Sequence, residues 1–209
     1  MNLILQKRKI IQICERIYQK GLVASHDGNV SVRLDKKRIL VTPTGKSKGF
    51  LKPEDLVIVD YNGKKLRGKL SPTSELLLHL FIYQKKENAQ AVVHAHPPFA
   101  TAFSLANMAL KKNILPEVIF QVGEIPTAPY ATPSTAEVPH SIEPFIKNYS
   151  AIIMKNHGVV TWGKELEEAY QKLETVEHFA KIYFIALKLG KVDELSPADV
   201  EKLLRIRNA

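Results

Sequence analysis

Cysteine is almost missing: Cys14 is the only one in 209 residues. One thiol cannot build an internal disulfide framework, which argues against a small secreted scaffold and for a reducing cytoplasm. Long apolar runs are missing too. No stretch approaches the roughly 20 apolar residues that a membrane-spanning helix needs, so no membrane partner is expected. The opening residues carry Lys7-Arg8-Lys9 after a very short apolar run, the wrong order for a signal peptide. Acidic residues are comparatively scarce, 21 against 30 basic ones, which leaves a formal charge of +9. That excess raises the question of nucleic acid. The cations are scattered, however, with Lys7-Arg8-Lys9 and Lys36-Lys37-Arg38 as the short clusters. No zinc-finger spacing, recognition helix or aromatic RNA-binding signature accompanies them, so no nucleic-acid partner is expected. A solvated basic surface is the better reading, and it would also attract an anionic, phosphorylated substrate.

What is present is apolar patterning at two periods. The chain is 45% hydrophobic and long enough for one large domain over residues 1–209, with no internal repeat, low-complexity segment or linker. Ile10, Ile13, Cys14, Ile17 and Tyr18 recur at helical spacing and make Cys14 a core residue, with Gly21 as the stop. Short strands are expected at Val30–Arg33, Ile39–Val41, Leu56–Val59, Ala91–Val93 and Ala151–Met154, with strand-like stretches within 114–122. Ser71-Pro72 or Thr73 is expected to start an apolar, buried helix carrying Glu75 and His79, and Lys164–Leu189 forms the longest helix.

The chemistry centres on Ala91-Val-Val-His-Ala-His-Pro-Pro98. Side chains two apart on a strand share a face, so His94 and His96 project together, and Pro97-Pro98 ends the strand. Converging neutral imidazoles make half of a zinc site. His157-Gly158, after a second apolar run, and Glu75, at the start of the apolar helix, supply the remaining donors. Three histidines with a carboxylate or water are how a catalytic zinc is commonly held. Glu75 is also favoured at a helix start by the helix dipole alone. His79, one turn later on the same face, reads as a residue supporting that site or packing beside it. Gly28-Asn29 reads first as a tight turn, although the same residue types can approach an anion. The Thr42–Gly49 loop, rich in hydroxyls, glycine and lysine, suits phosphate binding or plain exposure equally well.

Five ordered motifs, Gly28-Asn29-Val-Ser-Val-Arg33, Thr42-Pro-Thr-Gly45, Ser74-Glu75, His94-Ala-His96 and Asn156-His157-Gly158, together with Ala128-Pro-Tyr-Ala-Thr132, resemble the class II aldolase/adducin family over essentially the whole chain. The resemblance implies an α/β fold with a central, mainly antiparallel sheet flanked by helices in three layers. It also implies a cyclic homotetramer with active sites between subunits. His94, His96 and His157 would hold Zn²⁺, with Glu75 as a further metal ligand and catalytic base. Asn29, Thr44, Gly45, Thr73 and Ser74 would bind the substrate phosphate. The implied reaction is reversible cleavage of a ketose 1-phosphate (L-fuculose 1-phosphate or a related deoxy sugar phosphate) to dihydroxyacetone phosphate and a small aldehyde. Breaking a C–C bond beside a ketone requires stabilising an enediolate, which a Lewis-acidic metal does without a Schiff-base lysine.

The chain departs from that pattern on the aldehyde side. Residues 196–209 contain no tyrosine, and a second family tyrosine falls near Phe120. The alternatives within the family are a ribulose phosphate 4-epimerase, disfavoured by glutamate at position 75, and a methylthioribulose phosphate dehydratase using Glu117 or Glu124. An adducin-like binding module is a third, disfavoured by the complete histidine set.

Overall fold

A computed structural model describes residues 2–110 and 113–208, so Met1 and Ala209, the two ends of the expected single domain, lie outside the described residues. The chain folds as α1 (Leu3–Gln19), β1 (Asn29–Arg33), β2 (Ile39–Val41), β3 (Val57–Val59), β4 (Lys65–Arg67) and α2 (Leu76–Lys85). It continues as β5 (Ala91–Ala95), α3 (Pro98–Leu105), α4 (Pro116–Gln121), β6 (Thr127–Ala128) and α5 (Glu137–Ile146). The last elements are β7 (Ala151–Met154), β8 (Gly158–Gly163), α6 (Leu166–Leu189) and α7 (Pro197–Asn208). Among the described residues no helix is long and apolar enough to cross a membrane.

The strands make one eight-stranded sheet in the order β4-β3-β2-β1-β5-β8-β7-β6. Every pairing is antiparallel except β6 with β7, so the expected mainly antiparallel α/β architecture is what forms. Period-two alternation splits the central strands between two apolar layers. Val30, Val32, Val93, Ile153 and Val159 pack with α1, α3, α4 and α6 on one face. Ile39, Val41, Val92, Ile152, Val160 and Trp162 pack with α2 and α5 on the other. The sheet is therefore covered on both sides. Asn29 and Ser31 of β1 and His79 of α2 are buried polar residues that lie together, with Asn29 opposite His94 of β5.

Two local expectations are corrected. The stretch 114–122 contains helix α4, not a strand. Pro116 sits at its first turn with a pre-set φ, Gly123 follows at φ +84°, and the short helix buries Val118 and Ile119, Val118 in the core shared with α6. Helix α2 begins at Leu76, later than Ser71-Pro72 suggested, because Pro72 is held in an isolated bridge to Pro43. Glu75 occupies the capping position without making a side-chain cap, which leaves its carboxylate for other partners.

Candidate metal centre and active site

The fold brings the four site residues together from three places in the chain. His94 is the penultimate residue of β5 and faces Asn29 of β1 on one side and Val160 of β8 on the other. His96 follows two residues later, and its backbone N–H donates to the Leu22 carbonyl at 3.0 Å, so the strand end is tied down. His157 lies in the three-residue turn joining β7 to β8, whose tightness rests on Asn156 at φ +57°. Glu75 arrives at the start of α2.

Two glycines make this convergence possible. A Cβ on Gly158 would collide with the Ala95 carbonyl and sit 2.7 Å from His96 Cδ2 and 3.2 Å from His94 Cε1. A Cβ on Gly28, at φ +71°, would lie 2.9 Å from the His94 carbonyl oxygen and 2.6 Å from Val23 Cγ1. Neither position has room for a side chain, so the turn that Gly28-Asn29 suggested is also a point of close approach to β5.

One donor atom from each of Glu75, His94, His96 and His157 lies within 4.8 Å of the other three. Glu75 Oε2 is 2.9 Å from His94 Nε2, Glu75 Oε1 is 3.3 Å from His157 Nε2, and the Nε2 atoms of His94 and His96 are 3.1 Å apart. A tetrahedron of donors at zinc–nitrogen distance has edges of about 3.3 Å. The observed separations are close to that. The hydrogen-bond chemistry points the same way. His94 Nδ1 faces the Val159 carbonyl at 3.0 Å, which fixes the proton on Nδ1 and leaves the Nε2 lone pair turned toward Glu75. Two lone pairs 2.9 Å apart need a cation between them, a proton or a metal ion. Glu75 Oε1 is buried and accepts no hydrogen bond despite the nearby His157 ring. A donor set of three imidazoles and one carboxylate, with an orphaned carboxylate oxygen at its centre, fits a divalent metal of the zinc class.

The electrostatics follow from crowding. Burial opposes the ionisation of Glu75, but His94, then His157 and the Asn29 amide outweigh it and hold its carboxyl far below the usual range. Burial likewise opposes charge on His94, and the adjoining Glu75 carboxylate reverses this and raises it. His96 and His157 are pushed down to about 4, by burial first and by repulsion from His94 second. Both imidazoles are thus neutral near neutral pH, as metal ligands must be.

The segments expected to bind phosphate lie side by side. Thr44 N–H donates to the Ser71 carbonyl at 3.2 Å, and Thr73 N–H donates to the Thr42 carbonyl at 3.0 Å. Thr73 is buried, and its Oγ1 accepts from Glu75 N–H at 3.3 Å, while Thr44, Gly45 and Ser74 are exposed. Asn29 is buried beside Glu75. Its Nδ2 donates to Glu75 Oε2 at 3.0 Å and its Oδ1 accepts from His79 Nε2 at 2.5 Å. Behind it stand residues that motif reading passed over. Ser31 Oγ lies 2.7 Å from His79 Nδ1 and 2.8 Å from the Tyr83 hydroxyl. The i, i+4, i+8 series Glu75, His79, Tyr83 on an otherwise apolar helix was the available signal. Lys48 was also missed: its buried ammonium donates to the His26 carbonyl at 2.8 Å and to the Lys46 carbonyl at 2.5 Å, tying the 42–49 loop to the turn before Asn29. Asp27 Oδ2, 3.5 Å from His96 Nδ1, orients the outermost histidine.

Residues 8–184 match the family described as Class II Aldolase and Adducin N-terminal domain. The chain is 42% identical to the L-fuculose phosphate aldolase of Methanococcus maripaludis over 85% of its own length and 95% of that protein's. It is 33% identical to the 3-oxo-tetronate 4-phosphate decarboxylase of Haemophilus influenzae, over 95% of each chain. Among solved structures, an L-fuculose 1-phosphate aldolase superposes with a TM-score of 0.89 at 27% identity, covering 97% of this chain and 96% of the other. The chain belongs to the class II aldolase and adducin N-terminal domain family, and it is a lyase of that family.

Proposed function

We propose that the chain is a zinc-dependent aldolase that cleaves a ketose 1-phosphate, L-fuculose 1-phosphate or a related deoxy sugar phosphate, to dihydroxyacetone phosphate and a small aldehyde. The observation that carries this reading is the convergence of Glu75, His94, His96 and His157 beside the joined 42–45 and 71–74 segments. His94, His96 and His157 would hold the metal, with Glu75 completing the set. When bound, the metal supplies Lewis-acid stabilisation of the charge that develops as the C–C bond beside the ketone breaks. The protein's own groups do the rest. The backbone and hydroxyls of Thr44, Gly45, Thr73 and Ser74 grip the phosphate, far enough from the scissile bond for that binding to position the reacting carbons. Glu75, at the start of the helix that follows Thr73-Ser74, moves the substrate proton. Sheet and helix α2 exclude water behind it.

A second reading, decarboxylation of a phosphorylated keto acid, has a specific observation in its favour. A 3-oxo-tetronate 4-phosphate is a β-keto acid, and losing carbon dioxide from it also yields dihydroxyacetone phosphate. The two reactions share the phosphate site, the metal and the electron pair left beside the ketone. They differ in the departing fragment: the hydroxyl that becomes the aldehyde must hand its proton to a base during cleavage and regain it in the reverse reaction, whereas a carboxylate leaves as carbon dioxide with no proton to pass on. Residues 196–209 contain no tyrosine to exchange that proton on the aldehyde side. Exposed apolar side chains at Leu105, Phe120 and Tyr130 support assembly into the family's homotetramer, and the buried free Cys14 supports a cytoplasmic location.

The test supplies the zinc-loaded protein with a panel of ketose 1-phosphates and with 3-oxo-tetronate 4-phosphate. Dihydroxyacetone phosphate is followed together with aldehyde and carbon dioxide. The primary reading expects aldehyde release from ketose phosphates, with tolerance of several small or deoxy aldehydes. Carbon dioxide from the keto acid alone would transfer the assignment to the second reading, and silence on the whole panel would overturn both.

A further inference from the structure

The polar groups behind Glu75 are arranged by two periodicities that match. On α2, Glu75, His79 and Tyr83 recur every four residues, about 6 Å along a helix axis. On β1, Asn29, Ser31 and Arg33 recur every two residues, about 6.6 Å along a strand. Successive members therefore meet in register. Asn29 bonds Glu75 and His79, Ser31 lies between His79 and Tyr83, and Arg33 donates to the Tyr83 carbonyl at 2.9 Å. Asn29, Ser31, His79 and Tyr83 are all buried.

The direction of every bond in this series is dictated by its end. The Glu75 carboxylate can only accept, so the Asn29 amide must turn its NH₂ toward Glu75 and its oxygen toward His79. That oxygen requires a donor, which places the His79 proton on Nε2. His79 is neutral, with burial pushing it down to about 3, so its Nδ1 carries a lone pair and accepts from the Ser31 hydroxyl. The Ser31 oxygen in turn accepts from the Tyr83 hydroxyl. Each hydrogen points toward Glu75. Reversing the Asn29 amide would set two oxygens against each other at 3.0 Å and leave His79 facing an NH₂ group.

From this geometry we infer that Tyr83, Ser31 and His79 are positioning residues whose hydrogen-bond chain locks the Asn29 amide and thereby holds the Glu75 carboxylate at the histidine cluster. The inference rests on reading that cluster as the lyase metal centre. A helix face buried on a sheet has no packing need for four polar side chains, and such a network is costly unless every member is satisfied. Among these residues Glu75 Oε1 is the one atom with no hydrogen bond, and it is the oxygen turned to His157.

Three variants separate positioning from packing. His79→Phe fills the ring volume and removes the donor to Asn29. Ser31→Ala removes the donor to His79 and frees the tautomer. His79→Gln restores an N–H at the right reach. Zinc affinity is read by competition with a chromophoric chelator, kcat and KM by substrate cleavage, and the His79 tautomer by ¹⁵N shifts of the imidazole in metal-free protein. The expected result is a loss of about 10- to 100-fold in zinc affinity and kcat for His79→Phe, with KM little changed and most of the loss recovered in His79→Gln. Ser31→Ala should lose about tenfold and show a mixed tautomer, against pure Nε2–H in the parent. A parent His79 protonated on Nδ1 would overturn the inference. So would folded Ser31→Ala and His79→Phe proteins that lose only thermal stability. If His79→Phe does not fold, Ser31→Ala decides. If the parent cleaves no sugar phosphate, the proposed function fails while zinc affinity and tautomer still judge the chain of bonds.

Discussion

Replacing Gly158 by alanine should damage the metal centre while leaving the backbone unstrained. Gly158 begins β8 without a positive φ, so alanine meets no conformational penalty there. The added methyl instead collides with the Ala95 carbonyl, the residue between the two strand histidines, and lies 2.7 Å from His96 Cδ2. One obstacle is backbone in a central sheet pair, which yields only if β5 and β8 part by several tenths of an ångström. Overpacking of that kind costs about 1–3 kcal/mol, which for a chain of this size lowers Tm by roughly 2–12 °C. The same displacement spreads His94 and His96, whose Nε2 atoms are now 3.1 Å apart, and zinc affinity should fall by more than about tenfold. Gly21→Ala is the control. That glycine has φ +67° and nothing within 4 Å of where a methyl would sit, so alanine there strains only the backbone. Its Tm should drop and its zinc affinity should not. The assay is differential scanning calorimetry of metal-free protein beside chelator competition. Wild-type zinc affinity in Gly158→Ala would refute the reasoning.

Other consequences follow from the same contacts. Glu75→Gln keeps the shape and the Asn29 bond but removes the proposed base, so turnover should fall by about 10²-fold or more with phosphate affinity kept, and near-normal turnover would make Glu75 merely a first-turn carboxylate. Glu177, buried on α6, accepts from the Phe99 and Ala100 N–H groups at 2.9 Å each and so caps the helix that follows His96. Glu177→Ala should cost about 1–3 kcal/mol in denaturant titration, and an unchanged midpoint would rule that out. The folded His79 value of about 3 lies below its ordinary 6.5. The unfolded chain therefore binds a proton the folded one refuses, and this contribution to stability is complete above about pH 6.5 and is lost as pH falls toward 3. In metal-free protein His79→Phe should flatten the fall in stability between about pH 6.5 and 4, and an identical slope would contradict the assignment. Cys14 is fully buried, and burial pushes its thiol up to about 12. It should react with a disulfide reagent only on unfolding, and rapid labelling of native protein would disprove that.

Much of the fold was legible because its cues are short-range. The strands around Val30–Arg33, Ile39–Val41 and Ala91–Val93 announce themselves by β-branched residues between turn signals, and His94 and His96, at and just past the end of β5, by period-two spacing. Residues 114–122 misled for the opposite reason. Ile114, Val118, Ile119 and Val122 suit a strand by composition, and only packing on α6 and the Pro116 start decide for a helix. The four donors were legible as residue types, but their convergence depends on the pairing of β1 with β5 and of β5 with β8, which no local pattern specifies. Asn29 shows the limit most clearly. Its motif reads as a tight turn and carries no trace of its buried partners Glu75 and His79, which lie 46 and 50 residues away in sequence. Ser31 and Tyr83 left a trace only in two polar periodicities that must be superposed to be noticed.

The central claim, that His94, His96, His157 and Glu75 form one catalytic metal site, is tested most directly by His157→Ala. Metal content by mass spectrometry and lyase activity are measured on the same preparations, after dialysis against a limiting zinc buffer. The account predicts that stoichiometric zinc and activity disappear together while the fold, followed by circular dichroism, persists. A His157→Ala protein that keeps its full zinc content would contradict it.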